Sequence, residues 1–213
     1  MSLKEILIQK GKSFNLIARW STTPIIRKAI TAISLATGAP RLTIDGGHGM
    51  PDGWDCAITQ VLGMRQINAE NSPPSESDYH EGTVIDQDTI ELNGVDASGF
   101  LPYTGGGFLQ FYTPVSLVGQ TPRMTIKDKI GGTILASTDP ADTPKNIITI
   151  TPDVANKKML ISIPAAATAA LTWKKGVTDL EMVSGTGEVV KLKMCKGLEE
   201  DPDPVRVTGE VTT

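Results

Sequence analysis

Short β-favouring runs recur along this chain about every 8–14 residues, with Gly, Pro, Asn or Asp between them. That spacing limits the fold more than any other feature, because it is the pattern of a sandwich or a barrel. In FNLIAR (14–19), Phe14, Leu16 and Ala18 alternate with Asn15, Ile17 and Arg19. In PRMTIKDK, Met124 and Ile126 alternate with Thr125 and Lys127. A period of two sends one set to the core face of a strand and the other outward. Strands are expected on both sides of the Gly-Lys-Ser turn in EILIQKGKSFNLIARW (5–20). Others are expected in ITAIS (30–34), RLTID (41–45), DCAITQV (55–61) and GFLQFYTPVSLV (107–118). GTVIDQDTIEL (82–92) reads as a hairpin with Asp86-Gln87-Asp88 at its tip. GGTILAST, KNIITITP, KKMLISIP, VTDLEMVS, EVVKLKMC and PVRVTGEVTT continue the series. One short helix is expected in AAATAALTW (165–173). NAENSPPSESDYHEG (68–82) is polar and unpatterned, and reads as a linker or flexible loop projecting from a β-domain.

The chain has 213 residues, enough for one large domain or two small ones. Its 21 Gly and 14 Pro favour turns and short strands over long helices. A net charge of -4 gives no electrostatic attraction to nucleic acid or to an anionic membrane. No window approaches the roughly 18 consecutive apolar residues of a membrane span. The opening MSLKEILIQKGK has no apolar core of signal-peptide length, so a cytoplasmic site of synthesis is expected. Cys56 and Cys195 are far apart in sequence and read as buried or half-buried thiols.

GGHGMPDGW (46–54) is the stretch that most resembles a chemical site. As a phosphate cradle it fails: the spacing is not G-x-G-x-x-G, because position 52 is Asp, and no Gly-Lys-Ser/Thr ends it. As a metal site it would have to combine His48 or His80 with Asp45, Asp52 or Asp55, without the paired spacing of a zinc site. The favoured reading is a tight turn in which His48 bonds a backbone carbonyl and Pro51-Asp52-Gly53 reverses the chain. No G-x-S-x-G occurs, and neither Cys has a neighbouring His in sequence. Asp86, Asp88 and Asp96 sit where Asp makes local backbone bonds. LEEDPDP (198–204), the densest acidic run, reads as a stiff solvated connector. The expectation is therefore no catalytic residue, no cofactor and no metal. Trp54, Tyr79 and His80 remain as candidate partner contacts.

Several segments resemble the N-terminal β-sandwich module of upper-baseplate proteins from tailed bacteriophages. The residues that carry this are Leu117-Val118-Gly119, then Thr168, Leu171, Gly176 and Asp179-Leu180-Glu181, and finally Glu210-Val211-Thr212. Thr178 stands where that family often has an aromatic residue. The intervening stretch resembles a small phage β-barrel related to the FCCH half-domain of ubiquitin-activating enzymes. Its matching residues are His48-Gly49-Met50, Gly53, Gly63-Met64, Ile67-Asn68, Asp88–Leu92, Val95–Gly99 and Tyr103–Gly106. It departs from the pattern at Trp54-Asp55 and in the insertion ENSPPSESDYHEG.

The resemblance implies an all-β chain: an Ig-like β-sandwich, residues 1–22 plus 114–213, interrupted by a small β-barrel, residues 23–113, with one short helix. WSTTP and FYTP would be the junctions. It also implies a non-catalytic structural component of a phage virion tail, a baseplate or tail-tip adaptor assembled in the host cytoplasm. Its partners would be other tail, baseplate or fibre proteins, and it would form a homo-oligomer related to a trimer or hexamer, with no nucleic acid and no membrane. The loop 68–82 and the strand VRVTGEVTT are expected in contacts. Two other readings share the composition: a head–tail connector or capsid decoration protein, and a carbohydrate- or receptor-binding module. In the last, Trp20 and Trp173 are expected in the sandwich core, and Trp54 is the candidate platform.

Overall fold

The structure is a computed structural model and describes residues 5–36, 38–192, 194 and 202–209. Cys195 and Glu210-Val211-Thr212 lie outside the described residues. Strand accounts for most of the ordered backbone, and the chain is all-β. It divides into two compact units. One is Ser21–Val115; the other combines the described residues up to Trp20 with those from Ser116 onward.

The second unit begins with β1 (Ile6–Gln9) and β2 (Phe14–Arg19). The chain then builds the first unit from β3 (Ser21–Ala29), β4 (Ala32–Ala36), β5 (Ala39–Thr43), β6 (Trp54–Leu62), β7 (His80–Val84), β8 (Thr89–Leu92) and β9 (Gly105–Pro114). It returns with β10 (Gln120–Lys127), β11 (Ile134–Ser137), β12 (Thr149–Asp153) and β13 (Lys158–Ile163). The helix α1 (Ala165–Ala169) follows, then β14 (Lys175–Ser184), β15 (Val189–Leu192) and β16 (Asp203–Thr208).

The discontinuous unit is an immunoglobulin-type sandwich. One sheet runs β1-β16-β14-β10-β11, with β15 also on β14; the other runs β12-β13-β2. The period-two reading explains the packing. Ala18 of β2, Met124 and Ile126 of β10, Leu180 and Met182 of β14, and Met159, Ile161 and Ile163 of β13 share one core. Asn15 and Ile17 face outward, as their alternation requires. Trp20 and Trp173 pack against this core. α1 is shorter than the sequence suggests. It stops at Ala169 because Leu171 turns into the core, while the Thr168 hydroxyl is used on the Ala165 and Lys12 carbonyls at 2.9 and 2.8 Å.

The inserted unit is a curled seven-strand sheet of order β3-β9-β6-β7-β8-β5-β4. Its two outermost members, β3 and β4, are consecutive halves of one bent stretch. At the bend, Ile30 N–H donates to the Gly107 carbonyl of β9 at 3.0 Å and Thr31 N–H donates to the Thr43 carbonyl of β5 at 2.9 Å. The sheet thus returns on itself as a barrel. β6 is divided in the same way: Trp54–Cys56 pairs with β7, and Ala57–Leu62 pairs with β9. Leu42, Ile58, Ile90, Leu92, Leu109 and Phe111 fill the interior. Burying each such side chain is worth about 2 kcal/mol.

Two expectations for the C-terminal stretch change. Asp203 does not lie in a solvated connector: it is buried, opens β16 and accepts the Met194 N–H at 2.8 Å. VRVTGEVTT is also not free for contacts over its first half, since Val205 and Val207 are buried in the sandwich core.

Gly63, at the end of β6, has φ of 77°, and a Cβ there would stand 2.1 Å from the Pro102 carbonyl oxygen. Gly46 has the same φ of 77° but open space around it. Gly63→Ala should therefore lower the urea-unfolding free energy by well over 1 kcal/mol, and Gly46→Ala by about 1 kcal/mol. Equal losses would show that packing at Gly63 is not the constraint.

Candidate functional site

The stretch 46–54 connects β5 to β6, and its polar groups are used internally. His48 is buried at 3% exposure. Met50 N–H donates to His48 Nδ1 at 3.0 Å, so the ring proton sits on Nε2, which donates to the Asp86 carbonyl at 2.9 Å. His48 N–H donates to the Gln87 carbonyl, Gly53 N–H to Gly82, and Val84 N–H to the Asp52 carboxylate. The loop is thus a clip on the β7–β8 hairpin. Among the described residues no group of three or more His, Cys, Asp or Glu side chains is placed to hold a metal ion.

The hairpin acids also work locally. Asp86 accepts the Asp88 N–H, which together with the Thr89 hydroxyl holds its carboxyl below the usual range. Asp96 accepts both the backbone N–H and the hydroxyl of Ser98, which lowers its carboxyl likewise.

Trp54 is corrected from an exposed contact to a core residue. It is 2% exposed and packs inside the barrel, because position 54 shares the inward parity of Cys56 and Ile58 on β6. Its indole N–H donates to the Tyr112 carbonyl at 3.3 Å. Trp54 cannot serve as a sugar platform. Cys56 is a free buried thiol; burial, with Asp55 nearby, pushes it far above its ordinary value and leaves it inert.

The segment 68–82 is likewise not a flexible linker. Asp78, 7% exposed, gathers it: its carboxylate accepts from Glu70 N–H, Asn71 Nδ2, Ser75 N–H and the Ser75 hydroxyl at 2.7–3.0 Å. The Asn71 amide first, then the Glu70 and Ser75 donors, hold the Asp78 carboxyl far below the usual range against the opposing effect of burial. Asn68 ties the start of the segment to β6, its side chain bonding both Val61 N–H and carbonyl at 2.8 and 3.0 Å. From His80 onward the segment is strand β7.

This organisation positions Tyr79. Its ring stacks on Tyr112 at 5.9 Å between centroids and 21° between planes. Burial, with Tyr112 beside it, pushes the Tyr79 hydroxyl up to about 12. His80 is half-buried, pairs with Cys56 across the ladder, and accepts the thiol on its carbonyl at 3.5 Å. Trp54, Tyr79 and His80 are thus close together, but only Tyr79 and His80 reach the surface, and Tyr112 joins Tyr79 to Trp54.

Tyr112 belongs to a wider outward strip that residue-type reasoning missed. Along β9, Phe108, Gln110 and Tyr112 face out, while Leu109 and Phe111 face in at 0% exposure. The facing residues of β3 are Ala29, Arg27 and Ile25, paired with those three in that order. Arg27 lies 4.0 Å over the Phe108 ring and donates to Gln60 Oε1 at 3.1 Å. Gln110 Nε2 donates to the Thr59 hydroxyl at 2.6 Å. Tyr112 and Ile25 are 41% and 38% exposed. The period-two pattern of FLQFYT was the available signal. The strip offers aromatic surface and amide and hydroxyl groups.

No family model matches the chain, and no curated protein matches it. No helix of the described residues is long and apolar enough to cross a membrane.

His48→Ala leaves the Met50 N–H and the Asp86 carbonyl unpaired, so unfolding free energy should fall by about 2 kcal/mol, read by urea titration. A loss below about 0.5 kcal/mol would show that the clip is not structural. Asp78 has its folded value below the unfolded one. Its stabilising effect is therefore full above the ordinary carboxylate value of 3.8 and is lost as pH falls through the lowered folded value. Exchange of the Glu70 and Ser75 amides should accelerate over that acid range, and Asp78→Asn should make it fast at neutral pH. Unchanged protection in Asp78→Asn would contradict the role given to the carboxylate.

Proposed function

We propose that this chain is a non-catalytic structural protein of a phage-type tail, a baseplate or tail-tip adaptor, in which the sandwich is the building module and the inserted barrel carries a contact face. The observation that carries the contact role is the outward strip Ile25–Tyr112–Tyr79 with Arg27, Phe108 and Gln110. Aromatic residues and Arg are enriched in the anchors of protein interfaces. The tail context is supported by the two sequence resemblances, whose borders at 22/23 and 113/114 fall close to the changes between sandwich and barrel at 20/21 and 115/116. The partners are other tail, baseplate or fibre proteins, with a ring or trimer as the assembly.

A carbohydrate- or receptor-binding module is the second reading, favoured by one observation: the tyrosine pair lies beside Gln110, Thr59 and Arg27, which supply hydrogen bonds next to a ring face.

Antibody labelling of purified virions tests the reading. Label at the tail tip or baseplate is expected; label over the head would favour a decoration protein, and no label would remove the virion role. In a glycan-binding screen, retention lost in Tyr112→Ala would establish the second reading, and no retention by the native chain would exclude it.

A further inference from the structure

The sandwich closes one of its sides and leaves the other open. Between β11 and the approach to β12 the backbone is stitched: Ser137 N–H donates to the Lys145 carbonyl at 2.8 Å, and Ile148 N–H to the Ser137 carbonyl at 3.1 Å. β12 also contains Pro152, a residue that blunts an edge. On the opposite side β1 ends one sheet and β2 ends the other. β1 pairs with β16 and β2 with β13, and the two make no ladder with each other. In an immunoglobulin-type sandwich a further strand lies beside the position of β2. Here the strand that precedes β2 has gone to the other sheet, and that slot is unfilled among the described residues.

A cleft of about 360 Å³ lies along this side, lined by Glu5 and by residues of β1, the turn and β2, with Ile6, Phe14 and Leu16 among its apolar walls; the Glu5 carboxylate is paired with the Arg206 guanidinium. Its two strands carry exposed apolar side chains, Leu7 at 50% and Ile17 at 47%. β2 has no proline, and its six residues would match about 20 Å of extended chain. The turn at one end is held by the Thr168 hydroxyl on the Lys12 carbonyl at 2.8 Å. Lys10 and Lys12 stand there, and neither ammonium makes an ion pair among the described residues.

We propose that the β2 edge is a strand-acceptor site. It takes an extended segment of a partner polypeptide, which adds to the β12-β13-β2 sheet and drops alternate apolar side chains into the cleft. An acidic residue of the segment meets Lys10 and Lys12. The backbone of an open edge selects another backbone, the cleft selects alternating apolar side chains, and the two lysines select charge at one end. The inference stands apart from the tail reading, since it rests on the sandwich alone.

The test uses the full chain, isotopically labelled, and an eight-residue peptide with Val at alternate positions and Glu at one end. Two further versions carry backbone N-methyl groups on the odd or on the even residues. Saturable amide shifts at Phe14–Arg19 are expected. One methylated version should bind about tenfold more weakly or worse and the other nearly normally, because only one edge of the peptide faces β2. The double variant Lys10→Glu with Lys12→Glu should reverse the preference toward a peptide ending in Lys. Equal binding of all three peptides, shifts confined to other strands, or no saturable shift at millimolar peptide would overturn the proposal. Concentration-dependent shifts of Phe14–Arg19 without peptide would overturn the partner as occupant and assign the edge to a second copy.

Discussion

The architecture depends on one antiparallel contact, the pairing of β3 with β9 up to the point where the chain enters and leaves the barrel. Ser21 faces Pro114 and Thr22 faces Thr113 across that ladder. The Thr113 hydroxyl donates to the Pro24 carbonyl at 2.6 Å, which fastens the same end. Because the two crossing points are neighbours, the sandwich experiences a long insertion as if it were a tight turn between β2 and β10. The loop-closure entropy of nearly a hundred residues is met inside the barrel by its own closed ladder rather than by the sandwich.

The same ladder creates the outward strip. A closed barrel of this size has one filled interior, so every second residue of β3 and β9 must face out. On most strands those positions are polar. On β9 they are Phe108, Gln110 and Tyr112, and β3 sets Ile25 and Arg27 opposite Tyr112 and Gln110. The loop held by Asp78 then lays Tyr79 against Tyr112. A buried carboxylate therefore orders the loop that carries one member of the aromatic pair.

Alternation in the sequence was enough to find most strands and to orient them: Phe14, Leu16 and Ala18 on β2, and Met124 and Ile126 on β10, face the core their period assigns. The turn character of 46–54 was legible too, since its glycines and Pro51-Asp52-Gly53 are backbone signals. Trp54, a candidate contact by residue type, points inward because it shares the parity of Cys56 and Ile58 on β6. The order in segment 68–82 is not legible in its composition, which cannot show one carboxylate collecting four donors from residues three to eight positions away. Tyr112 was missed for the opposite reason: an aromatic residue in a strand reads as core until its neighbours Leu109 and Phe111 are seen to fill that face.

The central claim is that a self-contained barrel is inserted between β2 and β10 of a sandwich. Its most direct test is the amide spectrum of residues 21–115 produced alone, compared with that of the full chain. The account expects a dispersed spectrum in which the barrel-core amides, those of Leu42, Ile58, Ile90 and Leu109 among them, overlay their positions in the full chain. A collapsed, unfolded spectrum would contradict it, because the barrel would then depend on the sandwich for its closure.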